Sequence, residues 1–583
     1  RLDGGESMEH VSYLGVLFTM IFYAISVSPS LLPRRWWWHA FVSGTLMGIG
    51  YTTGWGLETA IGWAGRETGI QVVVPPDLAS FLSTIIFVLV VAWTVRAVVH
   101  FYIDSRKAAL MADMKPVSPL EYLLGFVSSF FLFGVVLQIN YLLLTIFNIV
   151  VDVLSLWVYR PVASVVSLAG VALLVLLFLN KVVLKTGLAI FARRAGKLNT
   201  TTGGGFEQPA LSERSGSPDS LSKWETIGGQ GRKFLTLGPT AADISAVTGK
   251  PALQPIRVYA GMPRNDSALE PLADLVVDEL KRTGGFERSV IVVNTTTGSG
   301  WVDEWLVQPV EYLTGGDCAV ATMQYSYLFS AALMLTGLDP CAEAGKLLFE
   351  KIRDEVSKLP PNERPLIYVA GESLGSYGSQ AAFRDLEEAG RQVAGAVWVG
   401  SPNGSPLWLE GTQGRGPGSP EVAPVFDQGH HVRFVNDPSQ LEADLYGRKF
   451  EHWRFPRIAF VQHASDPVVW YSAPMIWREP DWLRERVGVD VSPSMSYTPV
   501  VTYLQVAADL PVAGGAPQGH GHTYHEELVD VWFYGLGCDE EEPPFADRGR
   551  ACTAPTNVGP QLLEDIGVAI RNAMAAPPQE DAR

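Results

Sequence analysis

The 583-residue chain is 47% hydrophobic and only 18% charged, and its mean hydropathy is above zero at +0.15, which excludes a disordered chain and fits poorly with an ordinary soluble domain. Its net charge of −16 is divided unevenly: residues 1–200 carry 14 Lys and Arg against 10 Asp and Glu, the remainder 30 against 50. A basic, apolar front joined to an acidic rear excludes a nucleic-acid partner, which requires a basic footprint.

Five apolar stretches open the chain, at residues 11–32, 37–64, 78–102, 120–151 and 162–192. Each is long enough, at ~20 residues, to cross ~30 Å of hydrocarbon. Trp36, Trp37 and Trp38 follow Arg34 and Arg35 as an interfacial aromatic belt with its basic anchor. Residues 1–195 are therefore expected to form a transmembrane helical domain of about five helices, with the lipid bilayer as partner. Alternate loops and the final flank hold ten Lys and Arg (34, 35, 106, 107, 115, 181, 185, 193, 194, 197) against three (1, 66, 160). The bias places the protein in the cell membrane, N-terminus outside and everything after residue 195 in the cytoplasm. Stretch 120–151, with Gln138, Asn140 and Asn148, carries this parity; a turn inside it reverses the side.

The cysteines pull the other way. Cys318, Cys341, Cys538 and Cys552 are spaced as two local disulfides would be, which belong to an oxidising compartment; the alternative is four buried thiols. Glu58, Arg96, His100, Gln138, Asn140 and Asn148 inside the apolar stretches mark either a transport path or helix-end and packing residues.

Residues 196–231 are rich in Gly, Ser, Thr and Pro and are expected to be a flexible linker. Residues 232–583 alternate short apolar runs with helical stretches, the pattern of a mainly parallel sheet with helices on both faces. Strands are expected at 289–294, 318–326, 365–370, 394–400 and 457–462, and helices at 303–313, 341–358, 374–388 and 526–534. The strands are continuously apolar, which suits a sheet buried on both sides.

Gly371-Glu372-Ser373-Leu374-Gly375 matches G-x-S-x-G, with an apolar strand before it and a helix after. The pattern puts a serine on a tight strand-to-helix turn where small flanking residues let the backbone approach. A serine hydroxyl needs a base held by an acid. Asp466 directly follows an apolar strand, unlike Asp437, Asp481 and Asp490, and is the expected acid. The base is expected from the loop holding His520, His522 and His525. His522 is the first choice and His520 the alternative; the spacing of the three shares no face, so no metal site is expected. The oxyanion donors are expected to be Leu374 N–H and a group on Thr297 or Ser299. Trp408, Trp453, Trp470, Tyr471, Trp477 and Trp482 form either an apolar cap or acyl groove near the bilayer, or ordinary core.

The segments SPSLLPR (28–34), TTTGSGWVDE (295–304), YSYL (325–328), GESLGS (371–376), QHASDPVVW (462–470) and GHGHTY (519–524) together resemble the actinobacterial membrane-anchored α/β-hydrolase family. The elbow, acid and base segments are more distantly similar to cutinase-like esterases. The resemblance implies an α/β-hydrolase fold behind a transmembrane domain, with Ser373, Asp466 and the His520/His522 loop as triad. The expectation is then a serine hydrolase of lipid-like acyl esters that needs no cofactor. An acyltransferase with the same triad, a non-catalytic membrane scaffold and a transporter with a hydrolase-like domain are the alternatives. Oligomeric state is not set by these features.

Overall fold

The computed structural model describes residues 11–69, 75–178, 181, 205–264, 267–328, 330–485, 488–540 and 559–575. It divides into two compact units: Arg1–Lys185 with Tyr471–Pro517, and Thr186–Trp470 with Gln518–Arg583.

The first unit contains α1 (Tyr13–Ser26), α2 (Trp36–Thr68), α3 (Pro76–Met111), α4 (Pro119–Leu154) and α5 (Arg160–Phe178), one at each expected stretch. The expected end of the fifth stretch, and the boundary at 195, lie outside the described residues. α4 runs unbroken from a capping box at Ser118 and Glu121, so the stretch expected to decide the parity does not turn back. α3, α4 and α5 are long and apolar enough to cross a membrane. α1, at 14 residues, spans only ~21 Å at ~1.5 Å per residue.

α2 packs closely against its neighbours through two pairs of glycines. A methyl on Gly44 or Gly48 would lie 2.7 Å from Leu132 or 2.3 Å from Val136 of α4, and one on Gly50 or Gly54 would lie 2.6 or 2.3 Å from carbonyls of α1. Small residues four apart let helix backbones approach where no hydrophobic force drives them together. Two of the polar residues within the helices, Glu58 and Asn140, join one helix to another. Glu58 accepts from Ser12 Oγ at 2.6 Å and Leu14 N–H at 3.2 Å, capping α1 from α2. Asn140 donates to Thr52 Oγ1 at 2.8 Å, and Arg96 lies 3.4 Å from His100. Phe81, Leu89 and Phe131, in contrast, are more than half exposed, the surface expected of helices facing lipid.

Residues 471–517, expected within the hydrolase domain, belong to this helical unit instead. Their helix Val501–Asp509 lies on the α1–α2 turn, with Val501 and Ala508 packed on Val42 and Leu46. Asp509 is fully buried and accepts from Ser30 Oγ, from Leu31 and Leu32 N–H at 3.1 and 3.4 Å, and from Arg34 Nε at 3.2 Å. Gln505 donates to Ser26 and Ser28 carbonyls at 3.3 and 3.1 Å. The SPSLLPR turn is thus a cradle for one carboxylate.

The second unit is built on seven parallel strands in the order β1-β3-β2-β4-β5-β7-β6. They are β1 (Ile256–Ala260), β2 (Val290–Thr295), β3 (Cys318–Met323), β4 (Leu366–Glu372), β5 (Gly395–Val399), β6 (Val432–Val435) and β7 (Arg457–Val461). Every residue of β2, β3, β5, β6 and β7 is buried, as the continuous apolar runs implied. β1 and β6 were not expected. The stretch 374–388 forms two short helices, Leu374–Gln380 and Leu386–Gln392, rather than one.

Residues 205–231 are packed, not a flexible linker. Ser215 N–H donates to Arg257 O at 3.0 Å and Arg257 N–H to Glu213 O at 3.1 Å, so the segment covers the open edge of β1. Arg214 reaches inward to the carbonyls of Leu235, Thr236, Gly238 and Pro239 at 2.7–3.3 Å. Cys318, Cys341 and Cys538 are free buried thiols, so the 318–341 pairing does not form; Cys552 lies outside the described residues.

Candidate active site

β4 passes into the helix Leu374–Gln380 through Ser373, which holds φ +54° and ψ −122°, a strained conformation for a residue with a side chain. The flanking glycines explain how it is held. A methyl on Gly371 would lie 2.3 Å from the Gly375 carbonyl group, and one on Gly375 2.2 Å from Thr295 O. The turn therefore closes only with glycine at both positions, and Ser373 is pushed outward at the carboxyl end of the sheet.

Asp466 occupies the turn after β7 and is fully buried. Its Oδ1 accepts from Val468 N–H at 2.8 Å; its Oδ2 accepts from His522 Nδ1 at 2.6 Å and from Tyr524 OH at 2.7 Å. The carboxylate fixes Nδ1 as the protonated nitrogen of His522. His522 Nε2 is buried and has no hydrogen-bond partner among the described residues. The ring lies against the end of β5: a methyl on Gly400 would come within 2.5 Å of its Cε1. Ser373 N–H in turn donates to Val399 O, next to Gly400, at 2.9 Å. The elbow and the imidazole thus meet over one strand end.

The loop that carries His522 is itself anchored. Gly521 N–H donates to Ser465 Oγ at 2.8 Å, and Gly521 O lies 3.0 Å from His463 Nδ1. His463 Nε2 is 3.1 Å from Glu527 Oε1, and its ring stacks on Tyr524 with centroids 4.2 Å apart. Burial alone would raise Glu527, but His463 holds its carboxyl below the usual range. Burial pushes the Tyr524 hydroxyl well up, with the Asp466 charge adding to it, so it stays a donor. His520 sits in the preceding turn, bridged to Thr523 through its backbone. His525 stacks on Trp305 with centroids 5.3 Å apart, and burial lowers its pKa. Tyr524, Ser465 and His463 were not singled out in the sequence, although all three lie within three residues of the acid or base.

Leu374 opens its helix, so its N–H has no intrahelical acceptor. The loop after β2 brings Thr295 and Thr296 against Gly375, while Thr297 N–H is committed to Trp301 O at 3.0 Å and Ser299 O accepts from Gln324 at 3.1 Å. Of the donors at the two expected positions, Thr297 is thereby left with its hydroxyl, whereas the Ser299 carbonyl contact engages neither the N–H nor the hydroxyl of that residue. Asp303, which ends this loop, caps the helix Glu304–Leu313 by accepting from Trp305 N–H at 3.1 Å. Its side chain interacts with that of Glu372, the residue before Ser373, and Asp303 Oδ2 and Glu372 Oε2 are both buried without a hydrogen-bond partner among the described residues. Burial pushes both carboxyls above their ordinary range, and neighbouring carboxylates add to the effect.

The aromatic residues do not line a groove. Trp408, Trp453, Trp470 and Trp482 are buried, Trp408 packing edge-on to Trp470 at 6.1 Å and donating to Gln462 at 2.7 Å. Trp477 alone of the tryptophans in this set is exposed, and Tyr471 stacks on Tyr503. Trp408, Trp453 and Trp470 are core, each donating its ring N–H, to Gln462, to His431 O and to His463 O. Among the described residues no group of three or more His, Cys, Asp or Glu is arranged to hold a metal ion.

A seven-stranded parallel sheet with a strained serine turn after β4, and an acid and an imidazole after β7, is the architecture of an α/β-hydrolase. Two family models match: the alpha/beta-hydrolase family over residues 256–540 and the alpha/beta-hydrolase family N-terminus over residues 27–239. The chain belongs to this family. No curated protein and no solved structure matches it.

Proposed function

We propose that this α/β-hydrolase is a membrane-anchored serine hydrolase of acyl esters, acting through Ser373, His522 and Asp466. The observation that carries the reading is the 2.6 Å contact between His522 Nδ1 and Asp466 Oδ2, with the opposite ring nitrogen unpartnered beside the strained Ser373 turn. An imidazole held by an acid on one side and open on the other is the arrangement a general base requires.

In this mechanism Ser373 Oγ attacks the acyl carbonyl carbon and passes its proton to His522 Nε2. Asp466 keeps the ring oriented and balances the imidazolium. Leu374 N–H and a hydroxyl from Thr297 or Ser299 hold the oxyanion of the tetrahedral intermediate. His522 returns the proton to the leaving alkoxide, which departs as alcohol and leaves Ser373 acylated. Water, activated by the same imidazole, then releases the acid. An alcohol in place of water gives acyl transfer with no change of residues.

The substrate class rests on the helical unit. α3, α4 and α5 carry exposed apolar surface, and tethering a hydrolase to a bilayer is useful when the ester partitions there. A lipid-like acyl ester is therefore the proposed substrate, and the ten-to-three distribution of Lys and Arg puts the catalytic unit on the cytoplasmic side. The test is a fluorophosphonate probe and a series of chromogenic acyl esters of graded chain length on the detergent-solubilised chain. Labelling of the native protein but not of Ser373→Ala, with turnover rising toward longer chains, is the expected result. An unlabelled native protein would favour a scaffold carrying an inert hydrolase fold.

A further inference from the structure

We propose that Asp303 and Glu372 share a single proton and act as a positioning pair, fastening the loop after β2 to the nucleophile turn and keeping a second negative charge away from the Asp466–His522 pair. This rests on the Ser373 reading above and deepens it.

The placement is specific. Glu372 is the last residue of β4 and directly precedes Ser373, while Asp303 closes the loop that holds Thr297 and Ser299. β2 and β4 are neighbours in the sheet, with Thr295 opposite Gly371, so the loop that Asp303 closes and the turn that Glu372 enters leave the sheet side by side, and the two side chains interact. Each is nine-tenths buried or more, at 5% exposure for Asp303 and 6% for Glu372. Each also has an oxygen without a hydrogen-bond donor among the described residues, Asp303 Oδ2 and Glu372 Oε2.

Two ionised carboxylates cannot face each other in a dry pocket; one proton between them turns the repulsion into an O–H···O⁻ bond. Among the described residues no neighbouring group supplies the neutralising charge instead. Glu304, Glu527 and Asp466 add negative charge. Arg257 on β1 is engaged by Glu304 and Glu311, His463 by Glu527, and His522 by Asp466. His525 is stacked on Trp305. Removing the shared proton at high pH therefore creates a second buried charge next to the triad and releases the loop from the turn.

The experiment is the pH dependence of kcat and KM on one chromogenic ester for the native chain, Glu372→Gln, Asp303→Asn and Glu372→Ala, with thermal melts alongside. An amide supplies permanently the hydrogen that the native pair must hold as a proton. Glu372→Gln and Asp303→Asn are thus expected to keep most of the neutral-pH kcat and to push the alkaline fall in activity upward by about one pH unit or more. Glu372→Ala is expected to lose about tenfold or more in kcat with little change in KM. Asn is also an accepted helix cap, so Asp303→Asn approaches the pair from the other side if Glu372→Gln fails to fold. A folded amide variant whose alkaline limb stays where the native chain has it, or which is as impaired as Glu372→Ala, overturns the proposal. Native activity surviving in Ser373→Ala would instead overturn the triad, so the two failures are told apart.

Discussion

Ser373 is held at φ +54° by its surroundings, not by its own side chain, because glycine at 371 and 375 is all that the backbone of Gly375 and Thr295 leaves room for. Strain of this kind costs about 1–3 kcal/mol. Ser373→Gly should therefore abolish ester hydrolysis and raise the melting temperature, whereas an unchanged or lowered melt would show that the turn is not strained. The histidines separate in the same way. His522→Ala should cost a factor of the order of 10³ or more in turnover, because its Nδ1 is the atom on Asp466. His520→Ala, acting through the turn, should cost much less, and His525→Ala, stacked on Trp305, least. Turnover of the three on one ester decides, and a dead His520→Ala beside an active His522→Ala would move the base. In the sequence, motif and strand end each point to one residue, Ser373 and Asp466, whereas chain order points only to a loop with His520, His522 and His525, of which the structure brings His522 onto Asp466. The Asp303–Glu372 contact was not legible there, since it exists only once β2 and β4 are neighbours. Its linkage has a definite sign: both carboxyls are raised, so their contribution to stability is full below the ordinary carboxylate range and is lost as pH rises through the raised values. Melts of Ser373→Ala should fall over that interval, and those of a Ser373→Ala, Glu372→Gln double variant should fall less.

At the scale of elements, the strands that the sequence hid are those with an arginine inside. β1 carries Arg257 and β6 carries Arg433, each buried within an otherwise apolar run. A charge breaks the apolar pattern unless its partners are known, and they come from far along the chain. Arg257 meets Glu304 at 2.9 Å and Glu311 at 2.7 Å on one helix face; Arg433 donates to Glu451 O at 2.7 Å. The same blindness made 205–231 look like a linker, since its small polar residues pair with the β1 edge through backbone groups that composition does not reveal. Arg257→Met should consequently destabilise the catalytic unit by about 3–5 kcal/mol, leaving two buried carboxylates uncompensated, and chemical denaturation measures it. Replacing all three charges with apolar residues together should recover much of that loss. In the helical unit Asp509 plays the corresponding part. Asp509→Ala leaves Arg34 buried without its partner, and protease cleavage within 498–516 should increase many-fold while α3–α5 remain protected; equal protection in both proteins would show that the SPSLLPR cradle is incidental.

For the molecule as a whole, a prediction of sidedness needs only the parity of the crossings. α3, α4 and α5 are long and apolar enough to supply three, and α1 with α2 would add two if the pair inserts and none if it does not. Either way the loop between α4 and α5 would fall on the side opposite the catalytic unit; the basic loops all fall on the same side as it only if α1 and α2 cross as well, since otherwise Arg34 and Arg35 lie opposite. The buried native thiols at 318, 341 and 538 make the matter measurable, because they do not compete for a reagent in the folded protein. With Cys552→Ser as background, Leu156→Cys places a thiol in the α4–α5 connection, where Leu156 is 75% exposed, and Asp219→Cys places one on the exposed surface of the catalytic unit. A membrane-impermeant maleimide applied to intact cells should label Leu156→Cys directly and Asp219→Cys only after lysis. The opposite pattern would put the catalytic unit outside, and labelling of both without lysis would mean that α5 does not cross. Only the first outcome agrees with the distribution of Lys and Arg, and it would confine the ester substrate to the inner leaflet or to cytoplasmic acyl donors.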